Sequence, residues 1–311
     1  MYKQLLKKIK EYDKITIFRH VRPDGDAMFS ALAMAQYLKD NFKDKKIKLA
    51  GKEEYDVISK IEKVSDDFIN DSLAIVLDTS TMERVDDRRF INAKYTIRID
   101  HHPGEEDYTG LDIVETEGAA CAENLAKIFF SKEFNKLTLS NKVCKYLYCG
   151  ILTDSMGFST SSTTSDTLLI ASKLALKGNL KVDELNNFVF SKDVETFKKI
   201  SKIRNYLIVD NRFGYIFLDK KDLRKIGMNG SDARTNIDEI AKIKEFDVWA
   251  FFTYNEDGTY NGSLRCKRTL AVNELAFRYN GGGHKCAAGV NKLTLQQTRQ
   301  LIKELSILAN A

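Results

Sequence analysis

Hydrophobic and polar positions follow two different rhythms along this chain. In the first half, KITIFRH (14–20), KIKLAG (46–51), SLAIVLDT (72–79) and KYTIRID (94–100) are short apolar, β-branched runs. Runs of this kind form buried strands. Helical patterns lie between them, one from Ala27 to about Phe42 after a turn at Pro23, Asp24 and Gly25, another over EEYDVISKIEKV (53–64). Strand–helix alternation predicts parallel strands joined by right-handed crossovers, hence a doubly wound, mainly parallel α/β domain. Leu5, Leu6 and Ile9 mark one face of a first helix, and from 119 to 200 the signal is mainly helical, in AACAENLAKIFF, NKVCKYLYCGIL and SDTLLIASKLAL.

The rhythm changes near residue 205. YLIVD and FGYIFLDK read as strands, and DVWAFFTYNEDGTYNGSLRCK as a hairpin turning at Asp257 and Gly258. NELAFRYN and TLQQTRQLIKELSILA read as helices. The expected organisation is a catalytic α/β domain over 1–190, a semi-rigid helical linker over 191–204, and a smaller α+β domain over 205–311.

Composition agrees with two domains, because 311 residues exceed the ~250–300 at which one core stops growing. An apolar share of 43% and a charged share of 30% fit a soluble globular chain. No apolar stretch approaches the ~20 residues that span a bilayer, so no membrane association is expected. MYKQLLKKIKEYDK lacks the apolar core of a signal peptide, and a cytoplasmic location is expected. The five cysteines, odd in number and without a CxxC pair, argue against a disulfide framework or a thiolate zinc site. A net charge of +5 suits an anionic substrate but is too weak to coat long duplex DNA.

The rare residues carry more information. All four histidines (His20, His101, His102, His284) and both prolines (Pro23, Pro103) lie within a few residues of a carboxylate cluster or a glycine run. The run KITIFRH ends on His20, with Asp24 and Asp26 in the following turn; SLAIVLDT delivers Asp78; KYTIRID delivers Asp100, His101 and His102; LYCGILTDS delivers Asp154 after a helix. Taken singly, each is an ordinary turn, cap or strand end. Open α/β sheets, however, bind ligands beyond the carboxyl ends of their strands, where these groups converge. Oxygen and imidazole donors without thiolate suit manganese or magnesium. Four aspartates and two histidines exceed one ion's needs and fit a pair of ions sharing a carboxylate.

HVRPDGDA (20–27), LDTS (77–80), IDHHP (99–103) and GILTDSMGF (150–158) resemble, in order, the four motifs of the DHH phosphoesterases. That resemblance implies two divalent cations, Mn2+ before Mg2+. His20 and Asp24 would hold one and Asp26 and His101 the other, with Asp78 and Asp154 contacting or bridging both. It further implies hydroxide attack on phosphorus, with His102 facing the scissile phosphate and Asp100 orienting a histidine.

RYNGGGHKCAAG (278–289) and SLRCK (263–267) resemble the DHH-associated domain. In that likeness Arg265, Gly281, Gly282, Gly283 and His284 grip substrate phosphates and terminal nucleotides across an interdomain cleft, and Lys285, Lys267 and Arg268 add basic charge. Glycines at 281–283 let backbone N–H groups approach an anion closely. The whole chain is most similar to the NrnA-type branch, which degrades short oligoribonucleotides and dephosphorylates 3′-phosphoadenosine 5′-phosphate. The implied partners are short RNA or DNA oligonucleotides and nucleotide bisphosphates. Linear or cyclic dinucleotide cleavage and RecJ-like single-strand DNA exonuclease action are the alternatives; a homodimer is left open. Departures from the pattern are Phe29, expected to narrow the entrance, Ser155 with Met156, Cys121 with Ala122, and Cys266. Ser165 or Asp166 is expected to cap a helix, Trp249 to sit in the core, and Tyr254 and Tyr260 to be exposed.

Overall fold

A computed structural model describes residues 1–51, 63–102, 108–267 and 269–311, with the backbone alone at 284. Most of the helix read over 53–64, Pro103 and Arg268 lie outside the described residues. The chain divides into two compact units, Met1–Ser191 and Lys192–Ala311.

In the first unit, α1 (Tyr2–Glu11) leads into β1 (Lys14–Phe18), α2 (Gly25–Asn41), β2 (Lys46–Leu49), α3 (Asp66–Asn70) and β3 (Leu73–Leu77). Then follow β4 (Tyr95–Asp100), β5 (Leu111–Val114), α4 (Cys121–Phe130), α5 (Asn141–Asp154), α6 (Ser165–Gly178) and α7 (Val182–Phe190). The five strands form an all-parallel sheet in the order β2-β1-β3-β4-β5. Both faces are covered, which is why these runs carry few polar residues. Ile15, Ile17, Leu73, Ile75 and Leu77 pack with α2, α4 and α5, while Phe18, Ala74 and Val76 pack with Phe68 and Phe90. In this strand order the connections diverge between β1 and β3, the switch point where such sheets open a crevice.

The second unit contains α8 (Val194–Arg204), β6 (Leu207–Asp210), β7 (Phe213–Leu218), α9 (Lys220–Ile226), α10 (Gly230–Arg234), β8 (Val248–Tyr254) and β9 (Tyr260–Cys266). It closes with α11 (Asn273–Arg278), β10 (Gly282–His284), β11 (Ala287–Leu293) and α12 (Leu295–Asn310). Its mixed sheet runs β10-β11-β9-β8-β7-β6, parallel only between β7 and β8. Among the described residues no helix is long and apolar enough to cross a membrane.

Several expectations change. The helix after β1 starts at Gly25, because Asp24 caps it by accepting from the Ala27 N–H, and Asp26 falls on its first turn. Strand β5 had no counterpart in the reading of the sequence. Thr164, not Ser165 or Asp166, caps α6, through a reciprocal bond with Thr167. Phe29 does not line an entrance; it is buried between α2 and the Tyr146 and Phe188 rings. Tyr260 is buried rather than exposed, stacked on Phe217, and Trp249 is half-buried against the second unit's core.

Helices α2, α4 and α5 cross closely because position 150 is glycine. A Cβ there would stand 2.6 Å from that of Ala122 and 3.0 Å from Asp26 Oδ1. Alanine would gain ~1 kcal/mol of helix propensity, but overpacking at backbone-fixed neighbours costs ~1–3 kcal/mol. The net cost is up to about 2 kcal/mol, so Gly150→Ala should lower Tm by up to roughly 8 °C in a thermal melt.

Candidate metal centre

Each group in the centre is delivered by a separate segment. His20 stands two residues past β1, pinned by a backbone bridge to Val85 and by the Val21 N–H donating to the Arg84 carbonyl at 2.7 Å. Its Nδ1 is 2.8 Å from the Val21 carbonyl. A carbonyl only accepts, so Nδ1 carries a proton and Nε2 is turned toward the carboxylates. His20 Nε2 lies 3.7 Å from Asp24 Oδ2 and 3.6 Å from Asp78 Oδ2.

Asp78 follows β3 in the left-handed backbone region, at φ +53°. Its N–H still donates to the Ile99 carbonyl at 3.0 Å, which anchors the turn to β4. The carboxylate is buried. Its Oδ1 lies 3.4 Å from His101 Nε2 and 3.5 Å from His102 Nδ1, and has no hydrogen-bond partner. His101 Nε2 also lies 3.3 Å from Asp154 Oδ2, at the carboxyl end of α5.

Asp100, the last residue of β4, is fully buried and works as a brace. Its Oδ1 accepts from the N–H groups of His101 at 2.8 Å and His102 at 3.2 Å, and from His102 Nδ1 at 2.8 Å. The Asn124 side chain holds the Asp100 carbonyl at 2.9 Å and the Glu115 carbonyl at 2.9 Å.

Asp26 shows a feature absent from the reading of the sequence. The first two residues of α4 aim their backbone at it, Cys121 N–H donating at 2.6 Å and Ala122 N–H at 3.0 Å, with Ser30 Oγ at 3.1 Å. Ala120 offers α4 no side-chain cap, so a carboxylate from α2 caps it, where the helix dipole favours negative charge. Cys121 and Ala122 thus contribute backbone donors, and no hydroxyl is needed there. Cys121 Sγ points away, to the Ile99 carbonyl at 3.2 Å. The Ser155 hydroxyl is used within its own helix end, donating to the Ile151 carbonyl at 2.5 Å.

Electrostatics make the cluster tense without cations. Burial pushes the Asp26 carboxyl well above its ordinary range, with Asp78 and Asp154 adding to it. Burial brings Asp154 to about 7, with His101 drawing it down and Asp24 and Asp78 adding to the rise. Burial would also raise Asp78, but the imidazoles of His101 and His20 hold it well below the carboxylate range. Burial pulls His20 down, yet Asp24 and Asp78 raise it to about 10; His101 goes to about 10 for the same reason, chiefly through Asp78.

Among the described residues the donor atoms lie within 4.8 Å of one another inside each of three sets: His20, Asp24 and Asp78; Asp26, His101 and Asp154; and Asp78, His101 and His102. The unpartnered Asp78 oxygen, the outward His20 Nε2 and the hard, thiolate-free donors fit a divalent cation.

In the second unit, Arg265 on β9 pairs in register with Trp249 and Ala287. Its Nη1 donates to the Leu264 carbonyl at 3.0 Å; burial lowers its pKa, and Asp238 partly restores it. The glycine run is not an open loop. Gly282, Gly283 and His284 form the edge strand β10 against Gly289, Ala288 and Ala287. Gly283 requires glycine, at φ +131° with a would-be Cβ 2.5 Å from the Ala287 carbonyl oxygen.

Comparison with known proteins is consistent over the whole length. Residues 14–151 match the DHH family, N-terminal domain, and residues 211–310 the DHHA1 domain. The probable bifunctional oligoribonuclease and PAP phosphatase NrnA of Streptococcus mutans is 35% identical over 99% of this chain and 98% of its own. The chain belongs to the DHH family of phosphoesterases. Another relative of this DHH-family chain, the bifunctional oligoribonuclease and PAP phosphatase NrnA of Bacillus subtilis, is 29% identical over 99% of this chain and 98% of its own. An exopolyphosphatase-related protein from Bacteroides fragilis shares the DHH-family fold, with a TM-score of 0.87 and 22% identity, covering 100% of this chain and 97% of its own. DHH phosphoesterases depend on divalent metal, and the clustered carboxylates and imidazoles of this member accord with that.

Proposed function

We propose that this chain hydrolyses RNA of a few nucleotides and releases phosphate from 3′-phosphoadenosine 5′-phosphate, using two divalent cations, Mn2+ in preference to Mg2+. The observation that carries the reading is Asp78, a buried carboxylate shared by one donor set from β1 and another from β4, in a chain aligned end to end with relatives named for these activities. His20 and Asp24 would hold one cation, Asp26, His101 and Asp154 the other, and Asp78 both. When bound, the cations supply Lewis acidity and lower the pKa of a water to near neutrality. His102 is oriented by Asp100 through Nδ1, so Nε2 is the nitrogen that would pass a proton to the departing ester oxygen. Asp26 keeps its direction through the α4 amides. Arg265 and the 281–284 run would hold a second phosphate of the substrate, Arg265 by paired N–H donors.

A panel of di- to pentanucleotides, longer RNA and DNA, cyclic dinucleotides and 3′-phosphoadenosine 5′-phosphate, assayed with Mn2+ and with Mg2+, tests the reading. Turnover is expected on the shortest RNAs and the bisphosphate, and hydrolysis of none of the panel would overturn the proposal. Arg265→Ala should raise KM roughly 10- to 100-fold, the worth of charge-assisted hydrogen bonds, while bound metal per chain stays unchanged. Loss of metal in that variant would refute the separate roles given to the two units.

A further inference from the structure

Three of the five cysteines, Cys121, Cys144 and Cys149, are fully buried in the first unit. The other two form a pair. Arg265 stands opposite Ala287 in the antiparallel ladder of β9 and β11, so the next step sets Cys266 opposite Cys286. The Cys266 N–H donates to the Cys286 carbonyl at 3.0 Å. Opposed residues of such a hydrogen-bonded pair share a face of the sheet, with Cα atoms about 5.5 Å apart, inside the roughly 4.4–6.8 Å that a disulfide needs. Their Cβ atoms, about 4.5–5.5 Å apart, must close to about 3.5–4.5 Å, a small movement of the strand ends. Each sulfur already reaches across: Cys266 Sγ is 3.8 Å from the Lys285 carbonyl oxygen, and Cys286 Sγ is 3.8 Å from that of Lys267. Their surroundings differ. Cys266 lies in the second unit's core beside Leu264, whereas Cys286 is partly exposed.

We propose that Cys286 and Cys266 are a reversible thiol-oxidation site, closing a cross-strand disulfide when the protein meets a peroxide. The Cys286 thiolate attacks one peroxide oxygen and the O–O bond breaks, leaving a sulfenic acid and, after protonation, one water. Cys266 sulfur then attacks the Cys286 sulfur, its proton leaves with the hydroxyl as a second water, and the S–S bond forms. The protein loses two hydrogens, and a dithiol reductant restores them. Burial, with Cys286 adding, pushes the Cys266 thiol up to about 12, which leaves the first attack to Cys286 and the second to Cys266. In a reducing compartment such a bond is transient, the behaviour of a sensor rather than a staple. The bond would tie the end of β9, next to Arg265, to the segment that follows the glycine run. Its effect on catalysis rests on the role proposed for Arg265; its formation does not.

The test treats the full chain, loaded with Mn2+, with hydrogen peroxide, blocks remaining thiols by alkylation, and maps peptides by mass. One linked peptide pair joining Cys266 and Cys286 is expected, two hydrogens lighter than its parts and reversed by dithiothreitol. KM for a dinucleotide should rise about tenfold on oxidation, if one charged hydrogen bond is misplaced, and should stay constant in peroxide-treated Cys286→Ser. Alkylation of both thiols after peroxide, or Cys286 stopping at the sulfinic acid, would overturn the proposal. A linked pair with unchanged KM would uphold the site and refute its influence on Arg265. Absence of turnover in both redox forms counts against the phosphoesterase reading alone, because the mass measurement needs no activity.

Discussion

Asp78→Asn should lower kcat/KM on a dinucleotide by about 10³-fold or more and weaken metal uptake, while the metal-free variant melts within a few degrees of the metal-free parent. Removing one positioned electrostatic group from an active site costs ~10²–10³-fold. Asp78 faces three imidazoles and belongs to two of the three donor sets, which places its loss at or beyond the top of that range. Asparagine is the informative replacement because the backbone at 78 is left-handed. Asn and Asp visit that region routinely, whereas other side chains cost roughly 1–2 kcal/mol there. Asp78→Ala would mix loss of charge with backbone strain. Steady-state kinetics with titrated Mn2+, beside a thermal melt, separates the two. Full activity in Asp78→Asn would remove the shared carboxylate from the mechanism.

Stripping both divalent cations with a chelator should lower Tm by roughly 10–20 °C at pH 8 and much less at pH 6. The cation contribution at a hundredfold excess over Kd is about 2.7 kcal/mol per site, and a unit of this size shifts ~2–4 °C per kcal/mol. The pH dependence comes from the cluster's protons. Asp154, brought to about 7, and Asp26, moved the same way, bind protons in the folded state at a pH where the unfolded chain has lost them. Their contribution is greatest in acid and fades as pH rises from the usual carboxylate range through 7. His20 and His101, at about 10, stabilise fully below the unfolded imidazole value of ~6.5 and lose that stabilisation as pH climbs toward 10. Asp78, held low, acts in the opposite sense, but only in strong acid. The chelated protein therefore weakens steadily from pH 6 to 9, and added Mn2+ flattens the slope. Melts at four pH values, with and without metal, check this; parallel curves would show that the cluster does not take up cations.

The strands that carry the centre were legible because buried parallel strands read as continuous apolar runs, and β1, β3 and β4 each lead into their polar groups at the carboxyl end. Strand β5 was not. It offers only Leu111 and Ile113 to the core, and Asp112 between them is held by Arg98 at 3.0 Å, a pairing without a local signature. The caging of Asp26 was hidden for a deeper reason: its partners at 121 and 122 are main-chain N–H groups, which every residue but proline possesses. Phe29 was misplaced because its helix buries several faces, against α4, α5 and the sheet, so periodicity does not say which neighbour a side chain meets. The glycine run gave no strand signal, since glycine is depleted in strands, and only pairing with β11 reveals it.

The carboxylate cap on α4 also bears on how the chain matures. Asp26, Asp78, His101, the amides at 121 and 122, and Asp154 come from segments that meet only through contacts distant in sequence. Such contacts form late, after the loops between them have closed. A nascent chain has little with which to sequester a transition ion beyond the few donors of the turn at 20–26. Asp26 and Asp154 are brought together only when α5 docks on α2, so a complete donor set for a cation requires a finished first unit.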